Sequence, residues 1–228
     1  MTNGTDKNAK NWEEIYRDKK AGSFLIYPNE NLVTLFFQNR GIINQTGKCL
    51  DFGFGSGNNS EFLIQHMQEL YGIEISKSSI ASTRDRLKHF TQFNPAKFNT
   101  IGPENEFPND FFDLVVAWQV LYYNDKQTIK ATIAKLFNYL KPGGILICSL
   151  TTQRDVKVRH AKAIDENTFI VDKRIPHQEG CQIFSPRNEQ ELLLLFAAFE
   201  IVEYGYFERK SFVAENTLSE YYLIARKR

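Results

Sequence analysis

The sequence predicts a doubly wound α/β fold, and three observations carry that prediction. Short apolar strands alternate with amphipathic helices between residues 48 and 150. A glycine-rich turn follows the first of these strands directly, and two long alternating segments close the chain. Together they imply a seven-stranded, mostly parallel, Rossmann-like sheet that ends in an antiparallel C-terminal strand pair.

Residues 1–10 are polar and are expected to fray. An amphipathic helix is expected over 11–20, with Trp12, Ile15 and Tyr16 on one side. Asn29 can cap a helix running through Gln38, with Leu32, Val33, Phe36 and Phe37 as its buried face and Gly41 past its end. Residues 48–52 form the first expected strand, 53–57 the turn and 60–66 a helix. The second strand is expected over 69–75, and Ser76 caps a helix to about residue 90. Residues 97–101 and 112–118 are the third and fourth strands. The fourth is almost continuously apolar, as a strand covered on both faces must be. Ile129, Ile133, Leu136, Phe137 and Leu140 lie at helical spacing over 125–140, and Lys141-Pro142-Gly143-Gly144 stops that helix. The fifth strand is expected over 145–150.

Residues 151–183 are polar and lack a period, so they read as an inserted loop or lid. Ser185-Pro186 reads as an N-cap and first helical position, starting a helix that carries Leu192 to Phe196. Residues 200–208 and 220–225 alternate and read as the two final strands. The expected organisation is one domain over 1–228. It has an N-terminal helical cap (1–45), a ligand-binding core (48–150), an insert (151–183) and a C-terminal helix and hairpin (184–228).

Hydrophobic residues make up 42% and charged residues 24%, which places the chain among soluble globular proteins. A net charge of +1 supplies no pull toward nucleic acid or an anionic membrane. No apolar run reaches the length of a membrane span, and residues 1–20 lack a signal-peptide core, so a cytoplasmic location is expected. The three cysteines are odd in number and form no CxxC pair, which argues for a reducing compartment and against a zinc site or any other metal site. Cys49 and Cys148 fall in apolar runs and read as core residues.

The segment that carries chemistry is Cys49-Leu50-Asp51-Phe52-Gly53-Phe54-Gly55-Ser56-Gly57. Glycines let the backbone turn sharply and let a ligand approach it closely, and the helix that follows presents free N–H groups. The nicotinamide fingerprint is G-x-G-x-x-G. Here the glycines fall as G-x-G-x-G and position 58 is Asn. Asp51 is also unfavourable beside a pyrophosphate and suits a ligand with a cationic amino-acid portion. Glu74, ending the second strand, is placed to accept both hydroxyls of a ribose.

These motifs resemble the class I S-adenosylmethionine (SAM)-dependent methyltransferases. The resemblance covers about residues 48–150: the Asp51–Gly57 loop, Glu74, the Phe111-Phe112-Asp113-Leu114-Val115-Val116 strand and the Leu140-Lys141-Pro142-Gly143-Gly144 turn. Trp12, Tyr16 and Tyr27-Pro28-Asn29-Glu30 look like the N-terminal helices that small-molecule members lay over the cofactor. The resemblance implies SAM as cofactor and S-adenosylhomocysteine as product. It implies that Gly53, Gly55 and Gly57, with Asn58, pass along the methionine part, that Asp51 lies near the ammonium, that Glu74 binds the ribose and that Ile75 packs on the adenine. It assigns the adenine amino group to an acidic side chain after the third strand; Gly102-Pro103 leaves Glu104 or Asn105 for that role. Trp118, Gln119 and Tyr122 would border the sulfonium and the acceptor, with Trp12 and Tyr16 closing the cofactor side.

The function so implied is methyl transfer to a small-molecule acceptor at oxygen or nitrogen, without nucleic acid or membrane, by a monomer or homodimer. Candidate bases are His160, His177, Tyr122 and Tyr123. Basic residues of the insert, Arg159 and Arg174 among them, suggest an anionic or sugar-like acceptor. The alternatives are a SAM-binding protein without catalysis, a nucleic-acid or protein methyltransferase, and a nicotinamide oxidoreductase. The glycine spacing disfavours the last. The amino-methylating Pro-Pro signature and the Pro-Cys nucleophile of nucleic-acid enzymes do not occur.

Overall fold

A computed structural model describes residues 4–18, 25–176, 178–213 and 216–228. In chain order the first half comprises α1 (Gly4–Arg17), α2 (Glu30–Gln38), β1 (Lys48–Phe52), α3 (Asn58–His66), β2 (Glu69–Glu74), α4 (Lys77–Leu87), β3 (Phe98–Thr100) and β4 (Phe112–Ala117). The second half comprises α5 (Lys126–Tyr139), β5 (Leu140–Thr151), α6 (Val156–Arg159), β6 (Lys162–Ala163), β7 (Thr168–Ile170), β8 (Gln182–Phe184), α7 (Glu189–Leu195), β9 (Glu200–Ser211) and β10 (Asn216–Arg226).

Seven strands form one sheet in the order β3-β2-β1-β4-β5-β10-β9. β1 to β5 run parallel, and β10 is antiparallel to both β5 and β9. The sheet divides its side chains with period two. Leu50, Val115, Leu146, Cys148 and Leu223 join Ile129, Ile133 and Leu136 of α5 and Leu192 of α7 on one face. Cys49, Leu114, Val116, Ile145, Ile147 and Ile224 join the apolar sides of α2, α3 and α4 on the other. Both faces are covered, which explains the nearly unbroken apolar run of β4.

Asp113 explains the polar interruption at the start of β4. Its carboxylate accepts hydrogen bonds from the Lys48 N–H at 2.9 Å, Lys141 Nζ at 2.7 Å and Asn44 Nδ2 at 2.9 Å. Three strands are thereby tied together at the end remote from the glycine turn.

Several expectations are corrected. The first helix starts at Gly4 rather than near residue 11, because Asn8, read as part of a frayed tail, is buried with both ends of its amide bonded. Ser185 does not cap a helix. Its hydroxyl donates to the Thr151 carbonyl at 3.0 Å, and α7 begins after Asn188, whose side chain accepts from the Glu191 N–H. β5 begins at Leu140, so the Lys141–Gly144 turn both ends α5 and opens the strand. Phe37 is 41% exposed, packing edge-on against Phe62 and His66 instead of facing the core. The 151–183 segment contains α6 and a three-stranded sheet, β6-β7-β8. Val158, Val171, Cys181 and Ile183 form a third apolar cluster with Tyr122 and Tyr123, which alternating patterns this short do not reveal.

Candidate functional site

The carboxyl ends of β1, β2 and β4 border a cleft, as open parallel sheets place their ligand sites. The turn after β1 is its floor. Gly53, Gly55 and Gly57 all have positive φ, at +71°, +51° and +75°. At Gly55 the requirement is also spatial, since a Cβ there would sit 2.6 Å from the Tyr16 hydroxyl. The Gly55 carbonyl accepts from the Ser79 hydroxyl and, at 3.2 Å, from Thr83 Oγ1.

α1 crosses over this floor and is fastened at both sides. Asn8 Nδ2 donates to the Tyr123 and Gln182 carbonyls at 2.7 and 2.8 Å, and Asn8 Oδ1 accepts from the Gln182 N–H at 2.9 Å. Glu13 accepts from Ser76 Oγ, Ser78 N and Ser78 Oγ at 2.7, 3.2 and 2.6 Å, capping α4. Those bonds, Ser78 foremost, hold the Glu13 carboxyl below its ordinary value. Trp12 lies edge-to-face on Tyr123 at 4.9 Å between ring centres.

Beneath α1 the cleft forms two adjoining cavities that share Trp12, Tyr16, Gly53, Gly55, Gln119 and Tyr123. The smaller, of about 200 Å³, includes Glu74, Ile75, Ile101 and Val120 in its wall. Among the described lining residues Glu74 is its one carboxylate, and none is a lysine or arginine. Glu74 Oε2 accepts from the Gly55 N–H at 2.8 Å, and Oε1 accepts from the N–H groups of Ile75 and Ser76 at 2.7 and 3.1 Å. Burial raises the Glu74 carboxyl despite those bonds, and burial with the nearby Glu74 charge raises the Tyr16 hydroxyl. Ile75 and Ile101 are 37% and 39% exposed, two apolar side chains left facing open space.

The larger cavity, of about 360 Å³, is bordered by Phe54, Ser56, Asn58, Trp118, Tyr122 and Lys157 beside the shared residues. Asn58 holds the loop before α2 by donating to the Tyr27 carbonyl at 3.0 Å. The Trp118 indole N–H is buried and has no acceptor among the described residues. Gln119 has a positive φ of +55°, rare for a non-glycine residue and a form of strain that concentrates at functional sites. Its N–H donates to Ser149 Oγ at 2.9 Å and its side-chain amide to both oxygens of Glu220, each at 2.9 Å.

Asp51 does not line either cavity. It lies 2% exposed beneath the turn, where Ser60 Oγ donates to it at 2.6 Å. Burial pushes its carboxyl up to about 7, with the Glu74 charge adding to the rise. Gly57 is also outside the lining, its φ serving the N-cap of α3. Glu104 is exposed and reaches back over Gly102, so the cavity wall after β3 is Ile101.

His160 ends α6, half-buried, and lines neither cavity. His177 lies outside the described residues. Arg159 and Arg174 are exposed and away from the cleft, Arg174 being paired with Asp172 at 2.6 Å. Burial drives the Tyr122 and Tyr123 hydroxyls far above their ordinary value, so neither is a free-standing base. The sequence reading missed Asn8, Ile101 and Glu220. Their single polar or apolar letters carry no local signal, and only the crossing of distant elements brings them to the cleft.

A family profile described as a methyltransferase domain matches residues 23–202. The chain belongs to that methyltransferase family. Solved structures share the fold of this methyltransferase. A SAM-dependent methyltransferase from Methanosarcina mazei is 21% identical with a TM-score of 0.68, over 82% of this chain and 95% of its own. The 1,6-didemethyltoxoflavin-N1-methyltransferase of Burkholderia thailandensis, solved with 1,6-didemethyltoxoflavin and S-adenosylhomocysteine, is 14% identical with a TM-score of 0.70, over 100% and 91%. The N-methyltransferase NodS of Bradyrhizobium japonicum, solved with S-adenosylhomocysteine, is 18% identical with a TM-score of 0.60, over 95% and 98%. No curated protein matches the methyltransferase in sequence. Among its described residues no helix is long and apolar enough to cross a membrane.

Proposed function

We propose that this methyltransferase uses SAM to methylate a small-molecule acceptor at oxygen or nitrogen. One observation carries the reading: the Glu74 side of the cleft is short of positive charge. Two buried carboxylates, Asp51 and Glu74, flank the glycine turn, burial raises both, and the smaller cavity has no cationic wall residue among the described residues. A cation relieves such a site, whereas a pyrophosphate aggravates it. SAM carries an ammonium and a sulfonium, and the solved neighbours that contain S-adenosylhomocysteine support the same assignment.

The residues present fit the cofactor. Glu74 accepts the ribose hydroxyls, and Ile75 and Ile101 give the adenine two apolar surfaces. The Gly53–Gly55 backbone admits the methionine part, with Asn58 on the larger-cavity side. SAM supplies a methyl group already activated by its sulfonium. The chain's own task is alignment and exclusion of water. Trp118, Gln119 and Tyr122 confine the acceptor, while Trp12, Ile15 and Tyr16 close the cleft from above. Good alignment lowers a barrier by roughly 7–11 kcal/mol. The exposed positions of Arg159 and Arg174 give no support to their holding an anionic acceptor.

Calorimetric titration with SAM, S-adenosylhomocysteine and NAD tests the proposal, with Glu74→Ala alongside. Both SAM forms bind, and the variant weakens them by about tenfold or more. Preferential binding of NAD overturns the reading.

A further inference from the structure

Glu220 stands where no sequence motif points. It lies at the start of β10, and because β10 runs against the parallel strands, that start lies beside the carboxyl ends of β4 and β5. Its side chain is 13% exposed and borders a third cavity of about 360 Å³, beside Asn29, Phe207 and Leu218. That cavity shares Gln119 and Lys157 with the larger cavity of the cleft. Gln119 and Lys157 are therefore the partition between the methyl-transfer cavity and the pocket of Glu220.

The partition is arranged around the carboxylate. Gln119 adopts its strained backbone and donates its amide to both Glu220 oxygens. Lys157 Nζ sits 3.9 Å from Glu220, 3.4 Å from Asp155 and 5.6 Å from the Tyr122 ring centre. Asp155 is fully buried and already engaged, accepting from the Ser219 N–H and the Lys157 N–H at 2.8 Å each. One cation thus faces two carboxylates, and only Glu220 borders a cavity. The other charged groups around that pocket are Glu30 of α2 and Glu208 and Arg209 of β9. Glu208 is engaged by Arg154 at 2.7 Å. The Tyr122 hydroxyl, on the cleft side, neighbours both Glu220 and Tyr123.

We propose that Glu220 accepts the proton released in methyl transfer, and hence that the acceptor is a neutral hydroxyl or N–H compound rather than an anion. The step balances without a further reagent. The acceptor's lone pair forms the new bond to the methyl carbon, and the carbon–sulfur bond breaks with its electron pair left on sulfur. The O–H or N–H proton passes to the Tyr122 hydroxyl, which lines the cleft, as that hydroxyl gives its own proton to the neighbouring Glu220 carboxylate, and from there it leaves to solvent through the third cavity. Burial raises the Glu220 carboxyl above its ordinary value, and Lys157 and Gln119 only partly offset the rise. A carboxylate raised in this way holds a proton more readily than a solvated one, as a general base must.

The inference rests on the proposed SAM reading, and its test separates the two. The protein saturated with S-adenosylhomocysteine is titrated with phenol, aniline and benzoate. Phenol and aniline bind at least about tenfold more tightly than benzoate. The phenol affinity rises with pH as Glu220 ionises, with a midpoint above that of a solvated glutamate. In Glu220→Gln the preference falls to about twofold or less and the pH dependence disappears, while S-adenosylhomocysteine affinity is kept. Lys157→Met, which removes the nearby cation, moves the pH midpoint upward, a shift that a merely structural role does not produce. Tighter benzoate binding, a preference that survives Glu220→Gln, or binding of none of the fragments overturns the assignment of Glu220. Failure of the wild-type protein to bind S-adenosylhomocysteine overturns the SAM reading instead.

Discussion

Asn8 and Gln182 exchange two hydrogen bonds, Asn8 Nδ2 to the Gln182 carbonyl at 2.8 Å and the Gln182 N–H to Asn8 Oδ1 at 2.9 Å. The side-chain amide of a helix thereby pairs with β8 as a neighbouring strand's peptide would. The same Nδ2 reaches the Tyr123 carbonyl. Asn8→Ala leaves three main-chain groups unpaired in a site 3% exposed. The expected cost is roughly 1–3 kcal/mol, with a lower melting temperature, faster exchange of the Gln182 amide and weaker S-adenosylhomocysteine binding. Unchanged exchange at Gln182 would show that α1 is not held there.

Gly55 and Tyr16 are coupled through space. Gly55→Ala brings a Cβ to 2.6 Å from the Tyr16 hydroxyl and keeps an L-residue at a φ of +51°. The backbone alone contributes about 1–2 kcal/mol. The double variant with Tyr16→Phe should recover part of the lost cofactor affinity, since it removes the clashing oxygen and leaves the φ penalty. Strictly additive losses in calorimetry would refute the coupling.

Asp51 makes the ligand-free protein pH-dependent near neutrality. Its folded carboxyl is raised from 3.8 to about 7 by burial, so the folded state keeps a proton that the unfolded chain releases. Stability from this group is therefore lost as pH rises through that interval and is level above it. Asp51→Asn should raise the melting temperature at mildly alkaline pH and flatten its slope. SAM binding near neutral pH should release a proton from the wild type, read as a buffer-dependent enthalpy, and not from the variant.

Glu13 behaves in the opposite sense. Hydrogen bonds led by Ser78 depress its folded value below 4.5. Its contribution is present above the unfolded value and is lost as pH falls through the folded one. Acidification below about pH 4.5 should loosen α1 from α4 before the sheet unfolds, read by Trp12 fluorescence in a Trp118→Phe background. Glu13→Gln should show the loosened signal already at neutral pH. A single transition shared by Trp12 and far-ultraviolet circular dichroism would refute it.

The sheet was legible because its signals are local. Leu114 to Ala117 has to be covered on both faces, and Asn29, Ser76 and Asp125 each cap the helix they precede. The turn at Gly53–Gly57 and the acid at Glu74 were legible for the same reason, since backbone curvature and strand ends are written in adjacent residues. Ser185 misled because a serine before proline looks the same whether its hydroxyl caps a helix or, as here, bonds a distant carbonyl. Asn8 and Glu220 were illegible because their roles exist only after residues far apart in the chain meet. Glu104 illustrates the converse: its position after β3 suited the resemblance, but the tight Gly102–Asn105 turn carries it outward.

β10 lies between β5 and β9 although it is synthesised after both. During translation the β5 edge is complete while its future neighbour is still being made, and β9 then has no strand to pair with. The sheet closes from within, by late insertion of a strand that pairs locally with β9 but distantly with β5, and the distant pairing is the slow and aggregation-exposed kind. Glu220 arrives with that strand. A nascent chain can build the glycine turn and the Glu74 wall first, and it gains the acceptor side of the cleft only when the last gap in the sheet is sealed.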